Sequence, residues 1–141
     1  MKGLTKLEQI QTKIIDSGIL LSETRTNVVK AATIKLDGID NYAIFFDTTK
    51  FNSSVEEYVA LAHEFYHVDE NALYTFDDSL QAVKRREFKA NFALIKDLVP
   101  LDKLLLLIKQ NHQRYEIAEE LTVTEDLIDE AIRIYKQKGM I

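Results

Sequence analysis

The sequence predicts an α+β fold in which helices outweigh a small antiparallel sheet, and three observations carry that prediction. Apolar residues recur at helical spacing behind recognisable caps over most of the chain. Two short β-branched and aromatic runs, residues 31–36 and 42–46, flank a stretch with turn chemistry. A single proline and four glycines leave little material for linkers, and 141 residues make room for one core but not comfortably two.

Leu4, Leu7, Ile10, Ile14 and Ile15 share helical spacing, and Gly18 is placed to end that helix. Asp37, Gly38, Ile39, Asp40 and Asn41 separate the two strand-like runs, so a hairpin is expected, alone or within a three-stranded antiparallel sheet. Ser53 and Ser54 lie three residues before Glu56 and Glu57, giving two overlapping capping boxes. A helix should begin near Ser54 and run through His67 or a turn further. Asp77, Asp78 and Ser79 mark the next start, with a helical pattern over 81–98 that Pro100 interrupts. Residues 102–110 read as a short helix so apolar that burial is expected. After a polar joint near Asn111 come two more helices, 114–121 and 125–136, the second capped by Thr124 and followed by Gly139.

Composition narrows the function classes. With 46% hydrophobic and 29% charged residues, the chain is too apolar for disorder. Eighteen basic residues against 23 acidic ones leave a formal charge of -5, a poor match to a phosphate backbone. The absence of cysteine excludes a disulfide scaffold, a thiol nucleophile and a zinc finger. No stretch resembles a secretory signal, and the run 104–108 is far too short to cross a bilayer, so a cytoplasmic protein without membrane contact is expected.

His63-Glu64-Phe65-Tyr66-His67 is an HExxH pattern inside a predicted helix. Residues i and i+4 stand one turn apart on one face, so both imidazoles can reach one metal ion. Glu64 stays near enough to hold a water and take its proton. With Val55 at zero and about 100° per residue, Val59, Ala62 and Tyr66 fall within about 40°, and His63 and His67 at about 80° and 120°. The histidines thus flank the buried stripe, where a cleft floor would be. Shuffling this composition would give an HExxH only roughly a few times per thousand, so the match is informative. The competing reading is a surface helix that happens to carry two histidines.

A catalytic zinc wants a third protein ligand and one open position. Asp69, Glu70, Asp77, Asp78, Glu87, His112 and Glu116 are the candidates downstream. Glu87 stands out, because it lies within about 60° of the apolar stripe formed by Val83, Ala90 and Leu94 on its helix. A carboxylate beside an apolar seam is costly unless a cation meets it there. That cation is a metal, or else Lys84 or Arg86 in a salt bridge. Asn91, one turn on, could hydrogen-bond to Glu87. Two His and one Glu suit Zn2+, with amide hydrolysis as the expected chemistry and Glu64 as base and then acid to the leaving amine. Tyr66, Tyr74, His112 and Tyr115 are all possible oxyanion donors.

Ala60-Leu61-Ala62-His63-Glu64-Phe65-Tyr66-His67, then Glu87-Phe88-Lys89-Ala90-Asn91, then Leu98-Val99-Pro100, resembles the ImmA/IrrE metallopeptidases, specifically from about Tyr42 to Pro100. The resemblance implies a zincin-like core over residues 1–110 and a helical, helix-turn-helix-like segment over 111–141 packed on it. It implies a zinc endopeptidase of bacteria, prophages or integrative elements that inactivates a helix-turn-helix repressor after DNA damage or a similar signal. Residue by residue, His63, His67 and Glu87 match the family's metal ligands, and Glu64 its catalytic glutamate. Two positions depart from the pattern: Tyr66 stands where glycine is usual, a bulky ring expected beside the metal, and Ala93-Leu94 where a Phe-Ala pair is common.

The segment 117–124 and the helix after it look like a helix-turn-helix, but that helix carries Glu125, Asp126, Asp129 and Glu130, which would meet phosphates head-on. A structural or repressor-docking role is expected there, with no direct nucleic-acid contact. If substrate lies along an edge strand, as in proteases of this motif class, residues 42–46 are the candidate, and Ile44→Pro should impair cleavage. The competing function is a non-cleaving anti-repressor that binds the repressor directly and keeps zinc as a structural ion. A DNA-binding regulator with an incidental HExxH is disfavoured by charge.

Overall fold

The computed structural model describes residues 3–25, 29–38, 41–75 and 77–141. Helix α1 (Lys6–Asp16) opens on a capping box: Glu8 N–H donates to Thr5 Oγ1 at 3.1 Å, and Thr5 N–H to Glu8 Oε1 at 3.0 Å. Of its expected apolar stripe Ile10 and Ile14 are buried, whereas Leu4 precedes the cap and Ile15 faces away, both exposed. Gly18 (φ +82°) reverses the chain in a left-handed conformation that a side chain would strain. Strand β1 (Leu20–Glu23) follows directly.

Strands β2 (Ala31–Lys35) and β3 (Tyr42–Phe46) form the expected antiparallel pair, and the sheet order is β1-β3-β2. Ile39 and Asp40, part of the expected turn, lie outside the described residues. Because β1 runs parallel to β3, the sheet is mixed and not antiparallel. The chain leaves β1, crosses to the far side of β3 as β2, and returns as β3. Strand β3 is therefore central, which corrects its assignment as a substrate-binding edge. Its run Tyr-Ala-Ile-Phe-Phe lacks alternation because it is covered on both faces, with Ala43 and Ile44 fully buried.

The register fixes which backbone groups remain open. Leu36 N–H donates to Asn41 O and Asp47 N–H to Lys30 O, both directly opposed residues of the β2–β3 register. Hydrogen-bonded and non-hydrogen-bonded pairs alternate, so Ala32 and Ile34 bond to β3, while the backbone groups of Ala31, Thr33 and Lys35 point outward. On β3 the even residues turn to β1, as the Thr24 N–H donated to Phe46 O confirms.

A 3₁₀ turn (Thr48–Lys50) leads from β3 to α2 (Ser54–Asp69). Asp47 accepts from Thr49 N–H, and the Thr48 hydroxyl donates to the buried Glu57 of α2 at 2.6 Å, pinning the turn. Ser53 caps α2 by accepting from Glu56 N–H. Helix α2 packs on α1, β2 and β3. Helix α3 (Leu80–Leu98) starts where Ser79 Oγ accepts from Ala82 N–H.

The chain falls into two compact units, residues 1–90 and 91–141, divided within α3. The expected division at residue 110 falls inside the second, at the joint between α4 and α5. That unit is helical, with α4 (Leu101–Lys109), α5 (Arg114–Leu121) and α6 (Glu125–Gln137). Helix α5 packs on α4 and α6, and the buried Tyr135 hydroxyl donates to Val99 O at 2.8 Å. Helix α4 corrects an expectation of full burial: Leu104 and Leu107 are buried, but Leu105, Leu106 and Ile108 are exposed. Arg114 spends its charge on Glu125 and Asp129. Among the described residues no helix is long and apolar enough to cross a membrane.

Candidate metal centre

Helix α2 brings His63 and His67 onto one face with their Nε2 atoms 3.1 Å apart and their rings nearly perpendicular. From α3, Glu87 reaches both: Oε1 lies 2.9 Å from His67 Nε2 and Oε2 3.4 Å from His63 Nε2. Bond lengths of about 2.0–2.1 Å around a tetrahedral zinc would put neighbouring ligand atoms about 3.3 Å apart, close to these spacings. Among the described residues these three form the one cluster of three groups able to hold a metal ion. The donor set can bind a divalent cation.

Protonation follows from the surroundings. His67 is buried, and its Nδ1 lies 2.8 Å from Ala72 O. A carbonyl can only accept, so Nδ1 carries a proton and the neutral ring leaves the Nε2 lone pair facing His63 and Glu87. Burial, the largest single effect, opposes a second proton on His67, but the hydrogen bond to Glu87, the Ala72 carbonyl and the charges of Glu87 and Glu64 together outweigh it and raise the pKa. The Glu87 carboxyl is held well below the usual carboxylate range by its contacts with His63 and then His67, against partial burial. A convergence that so favours positive charge suits a metal cation as well as a proton.

Glu64 sits beside this cluster. Burial is the leading cause that raises its pKa, and its Oε2 is buried with no hydrogen-bond partner among the described residues. An unpartnered buried carboxylate oxygen is costly unless a water or ligand meets it. The Thr33 hydroxyl of β2 donates to the backbone carbonyl of Glu64 at 3.4 Å, so β2 lies next to the motif turn.

The loop from α2 to α3 completes the site. The Tyr74 hydroxyl donates to Glu87 Oε1 at 2.9 Å, and its ring stands edge-on to His67 with centroids 5.9 Å apart. Burial and the bond to Glu87 push its pKa up to about 12, so the phenol keeps its proton. Arg86 does not pair with Glu87. It donates to Leu73 O at 2.7 Å and to Asp78 Oδ2 at 2.9 Å.

Of the expected ligand candidates, His63, His67 and Glu87 come together, while Asp78 is taken by Arg86. Asp69 and Asp77 are exposed, and Glu70 ends α2. His112 and Glu116 belong to the second unit, where Glu116 accepts from Gln113 N–H to cap α5. Of the expected oxyanion donors, Tyr74 contacts the cluster through Glu87 and His67. The Tyr66 ring is buried, edge-on to Phe65 and under Lys13 of α1, so its bulk goes into the α1–α2 packing. Sequence reasoning missed the Ala72 carbonyl and the Arg86 clamp, for neither has a spacing signature. Comparison with known protein families, curated proteins and solved structures found no match.

Proposed function

We propose that this chain is a zinc-dependent endopeptidase that inactivates a helix-turn-helix transcriptional repressor by peptide-bond hydrolysis. The observation that carries the reading is the convergence of His63, His67 and Glu87 beside the buried, unpartnered Oε2 of Glu64. A zinc ion held by the three would supply Lewis-acid activation of a water and of the scissile carbonyl. Glu64 then has the proton work: it accepts a proton from the attacking water and returns it to the leaving amine nitrogen. Its raised pKa moves it toward the neutral range where such a shuttle works best.

A zinc ion held by three protein ligands would keep a place for a water, and that donor count, taken among the described residues, favours catalysis over a structural ion of an anti-repressor. The peptide would lie along β2, whose edge at Ala31, Thr33 and Lys35 is unpaired among the described residues and adjoins Glu64 through Thr33. The repressor as target and a cytoplasmic location rest on the resemblance of the segments around His63 and Glu87 to the ImmA/IrrE metallopeptidases.

The test is incubation of the zinc-loaded protein with the repressor encoded beside its gene, with Glu64→Gln in parallel, read by mass spectrometry and size-exclusion chromatography. A cut made by the wild type and slowed about 10²–10⁴-fold by Glu64→Gln supports the peptidase. A stable complex with both proteins and no cut would make it an anti-repressor.

A further inference from the structure

We infer that the loop between α2 and α3 is part of the metal centre, with Tyr74 as the positioning residue that sets the Glu87 carboxylate for the ion. The inference rests on the metal-binding reading above. Among the described residues Glu87 contacts three side chains, and two of them, His63 and His67, would share the ion with it. Tyr74 is the remaining partner. Once a cation takes the lone pairs that face the imidazoles, the Tyr74 hydroxyl is what still orients the carboxylate. Glu87 is otherwise a side chain with three rotatable bonds, one-third exposed.

Tyr74 can do this because the backbone on either side of it is pinned. Ala72 O accepts from His67 Nδ1, and Leu73 O accepts from Arg86. Thr75 N–H donates to Asp78 Oδ2 at 2.8 Å, and the same oxygen accepts from Arg86. Three of the four residues 72–75 are thus tied by their backbone, two of them to side chains adjacent to or within the ligand set. Only the fourth, Tyr74, spends its side chain on the ligand. Partners of this kind fix ligand orientation, and their loss typically weakens metal binding about 10–100-fold.

The experiment measures zinc affinity of the full chain by competition with a chromophoric chelator, for the wild type, Tyr74→Phe and Arg86→Met. Melting of the metal-free proteins is followed alongside, and the visible spectrum of the cobalt-loaded forms reports the ligand field. Tyr74→Phe keeps the ring against His67 and removes only the hydroxyl. The expected result is zinc binding weakened about 10–100-fold with an altered cobalt spectrum and an unchanged metal-free melting temperature. Arg86→Met should weaken binding in the wild type but add little in the Tyr74→Phe background, because it acts through the loop. Unchanged affinity in Tyr74→Phe overturns the inference, whether accompanied by a lower melting temperature, a purely structural role, or by slower cleavage alone, a direct contact with substrate. A wild type that binds neither zinc nor cobalt overturns the metal reading itself, a different failure.

Discussion

Proline placed at two positions of the sheet should give opposite results. Ile44 lies at the middle of the central strand β3, fully buried, with its N–H turned to β1. Ile44→Pro removes that donor, leaves a β1 carbonyl without its partner at a cost of about 1–3 kcal/mol, and loses most of a buried aliphatic side chain, about 2–4 kcal/mol more. Against a typical stability of about 5–15 kcal/mol, this unfolds much of the population or lowers the melting temperature by about 10–25 °C. Thr33 lies on β2 with its N–H pointing to the free edge, so Thr33→Pro breaks no bond to β3. It loses the hydroxyl's contacts with Glu64, to the backbone carbonyl at 3.4 Å and to the carboxyl group, and should cost about 1–2 kcal/mol. If a peptide pairs with that edge, Thr33→Pro should nonetheless reduce cleavage sharply. Circular dichroism melts and fragment mass spectrometry measure the two effects separately. Ile44→Pro melting within a few degrees of wild type would refute the central placement of β3. Folded Thr33→Pro cleaving at the wild-type rate would refute β2 as the substrate edge.

Further outcomes follow from the site and the core. Glu87→Ala should weaken zinc binding by more than the roughly 100-fold typical of losing a ligand's hydrogen-bond partner; unchanged zinc after dialysis would remove Glu87 from the site. In a chelator, the His67–Glu87 contact should stabilise the protein within a bounded pH window. Glu87, depressed by His63 and His67, contributes fully above about pH 4.3 and loses its share as pH falls through its lowered value. His67, raised by Glu87 against burial, contributes fully below about pH 6.5 and loses its share as pH rises through its raised value. The melting gap between wild type and Glu87→Gln should therefore be widest between about pH 4.5 and 6.5 and narrow as pH rises through the raised His67 value; a gap that widens steadily above about pH 6.5 would contradict this. On α4, Leu104→Ala should cost about 2–5 kcal/mol and Leu106→Gln less than about 0.5, as urea titration would measure.

What the sequence declared of the fold was local. Caps at Thr124 and Ser53 and the alternation of apolar residues along α1 and α3 are properties of neighbours within one turn. The antiparallel pairing of β2 and β3 was legible because turn residues separate two strand-like runs. Strand β1 was not, since Leu-Leu-Ser-Glu is short and shows no alternation, and its partner lies beyond β2 in the chain. Missing β1 turned a central strand into an apparent edge. The error on α4 had a different cause: five consecutive apolar residues at about 100° each cover every side of a helix, so Leu105 and Leu106 could not share the side of Leu104.

The candidate site divides along the same line. His63 and His67 are neighbours on one helix, and Glu87 is marked by a carboxylate set against an apolar stripe, so both halves of the ligand set carry a periodic signal. Nothing periodic marks the residues that orient them. The Ala72 carbonyl meets His67 because α2 ends and the chain turns back within five residues, with Asn71 in a left-handed conformation. Arg86 reads in sequence, with Lys84, as a salt-bridge partner for Glu87, yet consecutive helical positions point about 100° apart, so the guanidinium meets the loop while the carboxylate meets the histidines. That divergence lets one turn of α3 both supply a ligand and hold the loop whose tyrosine steadies it.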